Sequence, residues 1–442
     1  MDELKEFFTP RKQFALIQTV QMQNETFEDA LTQYCQAFIC DLTDILVRNE
    51  GILKKGNTVR KIKEYIGLQI DKPDEEPQKY VFKDSITTEF FGSVIKCHND
   101  WISCQIRSAI DEIERQIQCL MTPNPEVNQM ILVPEKTANL YRGRISQTRL
   151  GKNDMFHIGF RELHKIRNQR FSLVGQPLLY LGASVRCVAE EMQINSMHQE
   201  QIEQLFISQY TLIAPEREPN QETVQPLCLY DMRLYIQESF FDNNQDDTVR
   251  ENQYKRFLLS CVCSFSNYHS QLNAHFIEEY IIPQLVTQEI RKCEFNEKKQ
   301  FDGICYYSTR FIPEEEKTPP QTIAVGKNRM TINDKRPIQT IFSSAENYAF
   351  FTEKSRDIDL PWDSQLRKRF VITMPVSISE LRRNSISFSG SENGVLSFKD
   401  GVKVLEDYFT IRDAQKKALK EQEWFSAYQT YKKERGRKEY FK

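Results

Sequence analysis

The hydrophobic pattern of this 442-residue chain changes its period near residue 122. Before that point, residues 26–47 and 100–120 place apolar side chains at every third or fourth position, which is the period of an amphipathic helix. Thr26 with Asp29 resembles a capping box at the start of the first helix. The apolar positions are Phe27, Leu31, Tyr34, Phe38, Leu42, Ile45 and Leu46, and then Ile102, Ile106, Ile113, Ile117 and Leu120. Residues 1–122 are therefore predicted to form a helical N-terminal domain.

A hinge with three prolines follows, and residues 135–375 then mix short apolar runs with helical stretches. Four runs are typical of strands, since each is short and rich in β-branched or aromatic residues: "LLYL", "LCLYDMRLYI", "ICYYST" and "RFVITM". Residues 254–292 have a helical pattern that we expect Pro283 to interrupt. The fold class predicted from this arrangement is α+β, with a mixed α/β domain over 135–375.

Residues 376–442 begin with the polar stretch "RRNSISFSGSENG" and continue with a helical pattern over 404–435. One face of this last helix is predicted to carry Ile411, Ala414, Ala418, Phe425 and Tyr428. We interpret this part as a polar loop followed by a C-terminal helical extension.

Composition excludes several classes of protein. With 40% hydrophobic residues the chain can bury a core, and a net charge of −3 lacks the basic excess of a polyanion-binding surface. Nucleic acid is therefore not an expected partner, although the tail "YKKERGRKEYFK" is locally basic. The acidic start "MDELKEFF" is unlike a secretory leader, and no apolar run is long enough to span a membrane. We expect a cytoplasmic protein with reduced, mostly buried cysteines.

Several sites that depend on a short motif are absent from the sequence. There is no P-loop, no G-x-G-x-x-G, no H-E-x-x-H and no C-x-x-C, and no strand–turn–helix surrounds a nucleophilic serine. No histidine follows an arginine at the spacing of four to six residues that a HEPN-type ribonuclease uses. The set Cys261, Cys263, His269 and His275 resembles zinc ligands, but it lies in an apolar helical stretch, and buried thiols are the preferred interpretation. No metal is predicted.

The segment "QRFSLVGQPLLYLGASVRCVAEEM", residues 169–192, combines a buried strand with a helix start. "LLYL" is predicted to be the strand, and Ser184 is predicted to cap the helix that begins at "VRCVAEEM". Glu191 lies two helical turns after Ser184, on the same face, whereas Glu190 points about 100° away. One carboxylate can thus face a cleft while the other faces solvent.

Five motifs in this order resemble those of the RES family, which is named for its Arg, Glu and Ser. They are "LYRGR" at 140–144, "QRFSLVGQPLLYLGAS…EE" at 169–191, "EYIIPQL" at 279–285, "DGICYYST" at 302–309 and "NYAF" at 347–350. The resemblance covers roughly residues 135–375, which is more than half of the chain. The helical front resembles the HEPN/RES N-terminal domain of some longer members.

The resemblance implies an ADP-ribosyltransferase-like fold that breaks NAD⁺, its substrate, at the nicotinamide–ribose bond. It assigns catalytic roles to Glu191, Arg142 and Ser308, and places Arg170 and Tyr180 against the dinucleotide. Tyr306, a neighbouring aromatic residue, is a further candidate to stack on the nicotinamide. Arginine suits the diphosphate, an aromatic ring suits nicotinamide, and a carboxylate suits the cationic sugar of the transition state. Glu190 remains an alternative to Glu191, which is chosen by its distance from Tyr180.

The resemblance leaves the acceptor open, because water, phosphate or a protein side chain would give a glycohydrolase, a phosphorylase or a transferase. Since rapid loss of NAD⁺ is toxic to a cell, we expect a toxin or an anti-phage defence effector restrained by an antitoxin or another regulatory partner. A homo-oligomer is compatible with this interpretation. Two alternatives are a sensor that binds NAD⁺ or ADP-ribose without cleaving it, and an interaction scaffold with a degenerate site.

Overall fold

The fold is taken from a computed structural model of the whole chain. It describes residues 1–413 and 415, apart from 50–56, 71–79, 122–127, 135, 195–198, 214–225, 269–275, 296–297, 311–320, 326–327, 333–341, 355–360 and 384–397.

The described residues form helices and strands in mixed order. The helices are α1 Asp2–Phe7, α2 Pro10–Gln23, α3 Phe27–Arg48, α4 Asn57–Tyr65, α5 Ile86–Ile102, α6 Ile106–Met121, α7 Val185–Glu191, α8 Gln199–Glu203, α9 Asp247–Val262, α10 Ile281–Lys292, α11 Ser364–Lys368, α12 Ile378–Arg383 and α13 398–413. The strands are β1 Leu68–Ile70, β2 Tyr80–Phe82, β3 Gln129–Leu132, β4 Leu140–Ile145, β5 Leu178–Gly182, β6 Leu205–Leu212, β7 Leu227–Asp231, β8 Glu294–Phe295, β9 Lys298–Lys299, β10 Gly303–Tyr307, β11 Gln321–Val325, β12 Asn328–Ile332, β13 Glu346–Phe351 and β14 Phe370–Ile372. The predicted α+β class is confirmed at this level.

The chain divides into two compact units that interleave along the sequence. Unit 1 comprises Met1–Asn139, Phe156–Ala183 and Thr211–Val371, and unit 2 comprises Leu140–Met155, Ser184–Tyr210 and Ile372–Lys442. The three sequential domains proposed above, at 1–122, 135–375 and 376–442, stay a prediction.

Unit 1 contains a sheet in which the strands follow the order β5-β13-β10-β7-β3. The β10–β7 pair is parallel, and the other three pairs are antiparallel. The three central strands are buried over almost their whole length, since every residue of β10 and β13 is buried. Strands buried on both faces have continuous apolar sequences rather than alternating ones, which is why short apolar runs identified β7 and β10. The strand β13 was not predicted from the sequence.

Helices α1, α3 and α9 of unit 1 share an aromatic core. The ring of Phe38 in α3 lies 4.9 Å from that of Phe7 in α1, and the ring of Phe8 lies 5.2 Å from that of Phe257 in α9. Thr87 of α5 hydrogen-bonds to the Tyr254 hydroxyl of α9 at 2.7 Å. The N-terminal helices therefore bury their apolar faces against a helix that comes more than a hundred residues later.

Unit 2 is built on the antiparallel pair β4–β6, against which α7, α8, α12 and α13 pack. Its core cluster consists of Val185, Val188, Ala189, Ile194, Ile202, Leu205, Ile207, Ile378, Leu381, Val402, Leu405 and Phe409. Gly143 of β4 allows a close approach, because a Cβ there would come within 2.6 Å of the Met192 sulfur and 2.7 Å of Val188 Cγ1. The strand β4 thus lies directly against α7.

Local signals predicted several elements correctly. The helix predicted over 26–47 is α3, whose seven predicted apolar positions are all buried. Thr26 caps it by accepting a hydrogen bond from the Asp29 backbone N–H at 3.1 Å. Ser184 caps α7 in the same way, through the Cys187 backbone N–H at 3.0 Å. The four predicted strands are present as β5, β7, β10 and β14.

The single helix predicted over 100–120 was partly wrong, because residues 106–120 belong to α6 but the chain breaks between α5 and α6. Cys104 adopts a φ of +60°, and its backbone N–H caps the carbonyl of Trp101. Ile102 and Ile106 flank this turn and are 48% and 47% exposed, so they do not belong to the core face. A left-handed residue that is not glycine leaves no signal in a hydrophobic pattern.

The helix predicted over 254–292 also breaks elsewhere than expected. Pro283 is the third residue of α10 and does not interrupt it. The first four backbone N–H groups of a helix have no intrahelical acceptor, so a proline there loses no hydrogen bond. The interruption instead falls between the end of α9 at Val262 and the start of α10 at Ile281.

The apolar face predicted for the last helix was partly wrong. Ile411 is 58% exposed, whereas Val402, Leu405 and Phe409 of α13 face the core of unit 2. The other four predicted positions, Ala414, Ala418, Phe425 and Tyr428, lie outside the described part of the chain. The proline-bearing hinge also contains a strand that the sequence did not predict, β3, which pairs with β7.

The strand β7 ends at Asp231, although the predicted strand "LCLYDMRLYI" extends to Ile236. The buried Arg256 of α9 explains this end. Its guanidinium donates hydrogen bonds to the carbonyl groups of Asp231, at 3.1 Å, and Arg233, at 3.0 Å, and also to that of Tyr235. These carbonyl groups accept hydrogen bonds from a side chain, whereas in a continuing strand they would accept them from a neighbouring strand.

We expect Gly303→Ala to lower the free energy of unfolding by about 1–3 kcal/mol, because cores resist added atoms. A Cβ at Gly303 of β10 would come within 2.3 Å of the Ala349 carbonyl oxygen on β13. The matched control is Gly92→Ala in α5, where a Cβ meets nothing within 4 Å. That change should leave stability equal or raise it by up to about 1 kcal/mol. Urea unfolding of both variants checks this, and equal effects would contradict the register of β10 and β13.

Candidate active site

The six predicted site residues are distributed over both units. Unit 1 holds Arg170, Tyr180, Tyr306 and Ser308, and unit 2 holds Arg142 and Glu191. Side-chain contacts join the segments of unit 1 around residues 170 and 308.

Arg170 is nearly buried, with 9% of its surface exposed. Its Nη1 donates to the carbonyl oxygen of Cys263 at 2.9 Å and to that of Phe265, and its Nη2 donates to Thr309 Oγ1 at 2.9 Å. The guanidinium also lies 5.1 Å from the centre of the Tyr280 ring. Arg170 therefore ties the end of α9 to the residue that follows Ser308.

Tyr180 and Tyr306 occupy the same face of the sheet in unit 1. Tyr180 of β5 pairs with Ala349 of β13. On the other side of β13, Tyr306 of β10 pairs with Asn347, two residues before Ala349. Burial raises the pKa of Tyr180, whose hydroxyl donates to Ser172 Oγ at 3.2 Å. The Tyr306 ring lies 4.5 Å from the Phe171 ring. The segments around residues 170 and 306 thus contact each other directly.

Ser308 is fully buried at the end of β10. Its backbone N–H donates to the Ala345 carbonyl at 2.8 Å, and its hydroxyl oxygen accepts from the Arg310 backbone N–H at 3.1 Å. The next carbonyl along, that of Glu346, accepts from the Ala183 N–H at 2.8 Å. The start of β13 is thereby bonded to the ends of both β5 and β10.

In unit 2, Glu191 is the last residue of α7 and follows the buried Cys187 by one helical turn. Both side chains lie away from the face that Val185, Val188 and Ala189 turn to the core cluster. Glu190 lies about 100° further round the helix. Burial raises the pKa of Glu190, although Arg186 lies 3.8 Å away and counteracts this. The assignment of different roles to the two glutamates stays a prediction.

Arg142 is half-buried in β4 and pairs with Ser208 of β6. The neighbouring pair, Gly143 with Ile207, faces the core cluster of unit 2. Because side chains alternate along a strand, Arg142 lies on the opposite face.

Sequence reasoning missed a buried charge cluster on the other face of the unit 1 sheet. Arg233 contacts both Asp231, at 2.8 Å, and Glu346, at 2.7 Å. The hydroxyl groups of Tyr235 and Tyr348 donate to the carboxylates of Asp231 and Glu346, respectively. The spacing Asp-x-Arg at 231–233 was the one available signal, because Glu346 comes from a distant part of the chain. The cluster joins the end of β7 to the start of β13.

We expect stability to fall in acid because of Asp231. Burial would raise its pKa, but the charges of Arg233 and Arg256 and the hydrogen bonds from Arg233 outweigh burial and lower the pKa to about 2. A carboxyl whose pKa is lowered on folding stabilises the protein above its unfolded pKa of about 4, and this stabilisation is lost as the pH falls towards its folded value.

The expected contribution is about 2 kcal/mol at neutral pH. Asp231→Asn should therefore lower the free energy of unfolding at pH 7, and its difference from wild type should shrink between about pH 4 and pH 2. Urea unfolding over this pH range measures it, with the exposed Asp44→Asn in α3 as the control. A difference that does not change with pH would contradict the pairing.

Among the described residues, no group of three or more histidine, cysteine or acidic side chains is arranged to hold a metal ion. Cys261 and Cys263, from the zinc-like set, are buried at the end of α9, and burial raises the pKa of Cys261 to about 12. His269 and His275 lie outside the described residues. In the part of the chain that the structure describes, every helix is too short or too polar to cross a bilayer.

Comparison with known proteins gives one relevant similarity. The chain is 25% identical over 284 residues to a protein of Bacillus subtilis (strain 168) named "Putative toxin YopC". The aligned part is 62% of this chain and 60% of that protein, so the chain spans less than two thirds of its relative. No protein-family model matches the chain, and no solved structure matches it.

Proposed function

We propose that this protein is a toxin that consumes NAD⁺ by breaking its nicotinamide–ribose bond. The observation that carries the proposal is the contact between two motif segments that lie more than a hundred residues apart. Arg170 donates to Thr309 at 2.9 Å, and the ring of Phe171 packs 4.5 Å from that of Tyr306. The similarity to a protein named as a toxin supports the biological role.

In the proposed reaction the bond between the ribose C1′ and the pyridinium nitrogen breaks, and its electron pair neutralises the nicotinamide. The leaving group needs no proton, so the barrier is the formation of a cationic sugar. The Glu191 carboxylate is assigned to stabilise that charge. Water, phosphate or a protein side chain then forms the new bond to C1′ and loses a proton.

The roles of the other residues follow from their surroundings. Arg142, half-buried on the strand face away from the core cluster, is assigned to the diphosphate, which a planar guanidinium binds through two hydrogen bonds. Tyr306 and Tyr180 are assigned to pack against the nicotinamide or its ribose, and Ser308 to hydrogen-bond to a ribose hydroxyl or the carboxamide. Arg170 already donates to two carbonyl groups and a hydroxyl, so we assign it to positioning the end of β10.

Expression in a bacterial host tests the toxic role. Induction of the wild-type chain should stop growth and deplete total NAD⁺ and NADH, and the depletion should precede the arrest. Coexpression of a neighbouring antitoxin gene should restore both. Arrest without loss of NAD⁺ would contradict the proposed chemistry while leaving a toxin of another kind.

A further inference from the structure

The turn that follows α9 is held from two sides. On one side, Gln21 of α2 makes three hydrogen bonds to Ser266 and is only 1% exposed. Its Nε2 donates to the Ser266 carbonyl at 2.9 Å, and its Oε1 accepts from the Ser266 backbone N–H at 3.2 Å and from its hydroxyl at 3.1 Å. A side chain that hydrogen-bonds to the carbonyl, the N–H and the hydroxyl of one residue fixes the backbone position of that residue.

The neighbouring Phe265 strengthens this attachment. Its ring is fully buried and packs edge-on against those of Phe27 and Tyr34 of α3, at 5.5 Å from each. Two N-terminal helices, α2 and α3, therefore determine where residues 265 and 266 lie.

On the other side, the same turn binds Arg170. The carbonyl groups of Cys263 and Phe265 accept from Arg170 Nη1, while Nη2 reaches Thr309, next to Ser308. Gln21 is thus connected to the end of β10 through one short turn and one guanidinium. All of these groups lie in unit 1.

We propose that Gln21 is a positioning residue, through which the N-terminal helices hold Arg170 and the end of β10 in the arrangement that the reaction needs. The proposal rests on the proposed function for its effect on catalysis, but the mechanical coupling from Gln21 to β10 stands independently. In this arrangement the N-terminal helices help to hold the candidate site in position.

Gln21→Ala removes all three hydrogen bonds, and Gln18→Ala, at an exposed position of the same helix, is the matched control. Hydrogen–deuterium exchange of the full-length variants should show faster exchange at residues 263–268 and, through Arg170, at residues 305–310. Exchange in the core of α9 should stay unchanged. Gln18→Ala should match wild type throughout.

In the NAD⁺ cleavage assay, Gln21→Ala should lower kcat about tenfold with a smaller change in KM, because misplacement affects the transition state more than binding. Gln21→Met keeps most of the side-chain volume but removes all three hydrogen bonds, so it should show both effects. It also serves as the second variant if Gln21→Ala unfolds.

The outcomes separate the two proposals. Faster exchange that stops at residue 268, or a kcat equal to that of Gln18→Ala, would overturn the role of Gln21. If Gln21→Ala exchanges faster at both segments but the wild-type protein releases no nicotinamide, the connection is confirmed and the proposed function is contradicted.

Discussion

Replacing Glu191 by glutamine is expected to lower NAD⁺ cleavage by about 100- to 1,000-fold, because the amide cannot stabilise the positive charge of the sugar. The change is nearly isosteric, and Glu191 is half-buried at the end of α7, so the fold should persist. The KM for NAD⁺ should change little, since the lost interaction belongs to the transition state. Nicotinamide release measured by chromatography, with thermal unfolding alongside, checks both parts.

Glu190→Gln is the matched control, one residue earlier on the same helix. Glu190 lies beside Arg186, and its removal should change cleavage by no more than about threefold. If Glu190→Gln carries the large loss and Glu191→Gln does not, the assignment of the two carboxylates is reversed. If neither affects an active enzyme, the charge is stabilised by another group.

The largest effect on stability is expected from Arg233→Met, which should lower the free energy of unfolding by about 3–5 kcal/mol. Arg233 lies between the carboxylates of Asp231 and Glu346, both almost fully buried. Without the guanidinium, two negative charges remain in a place that water does not reach. Urea unfolding at pH 7 measures the loss.

The triple variant Arg233→Met, Asp231→Asn and Glu346→Gln is the control for this explanation. It removes all three charges together, so it should be more stable than Arg233→Met alone. A triple variant that is even less stable would show that the hydrogen bonds of the cluster, and not its charge balance, maintain the sheet. If Arg233→Met alone lowers the free energy of unfolding by less than about 1 kcal/mol, the charge cluster itself is contradicted.

Local signals predicted the elements whose cause is local. The periodic face of α3 and the caps at Thr26 and Ser184 depend on residues within a few positions of each other, and all three are present. The buried strands β5 and β10 were equally visible, because a strand covered on both faces is apolar throughout.

Features that depend on distant residues, or on an unusual backbone conformation, could not be predicted in this way. The end of β7 at Asp231 is determined by Arg256, and the break between α5 and α6 depends on the conformation of Cys104. Ile411 fits the period of a buried face and is exposed, because the period alone does not say which face finds a partner.

The candidate site shows the same division. Ser184 and the two glutamates were placed on α7 from a stretch of eight residues. The partners of Arg170 come from the end of α9 and from Thr309, and nothing near Arg170 in the sequence indicates them. Glu346 was passed over for the same reason, since only the fold brings it to Arg233.

The most direct test is to incubate the purified full-length protein with NAD⁺ and follow nicotinamide by proton NMR, in water alone, with phosphate, and with a bacterial lysate as a source of acceptor proteins. We expect nicotinamide to appear in at least one condition, together with ADP-ribose, its 1″-phosphate or ADP-ribosylated protein in equal amount. A folded protein that leaves NAD⁺ intact in all three conditions, alone and with the products of its neighbouring genes, would contradict NAD⁺ cleavage.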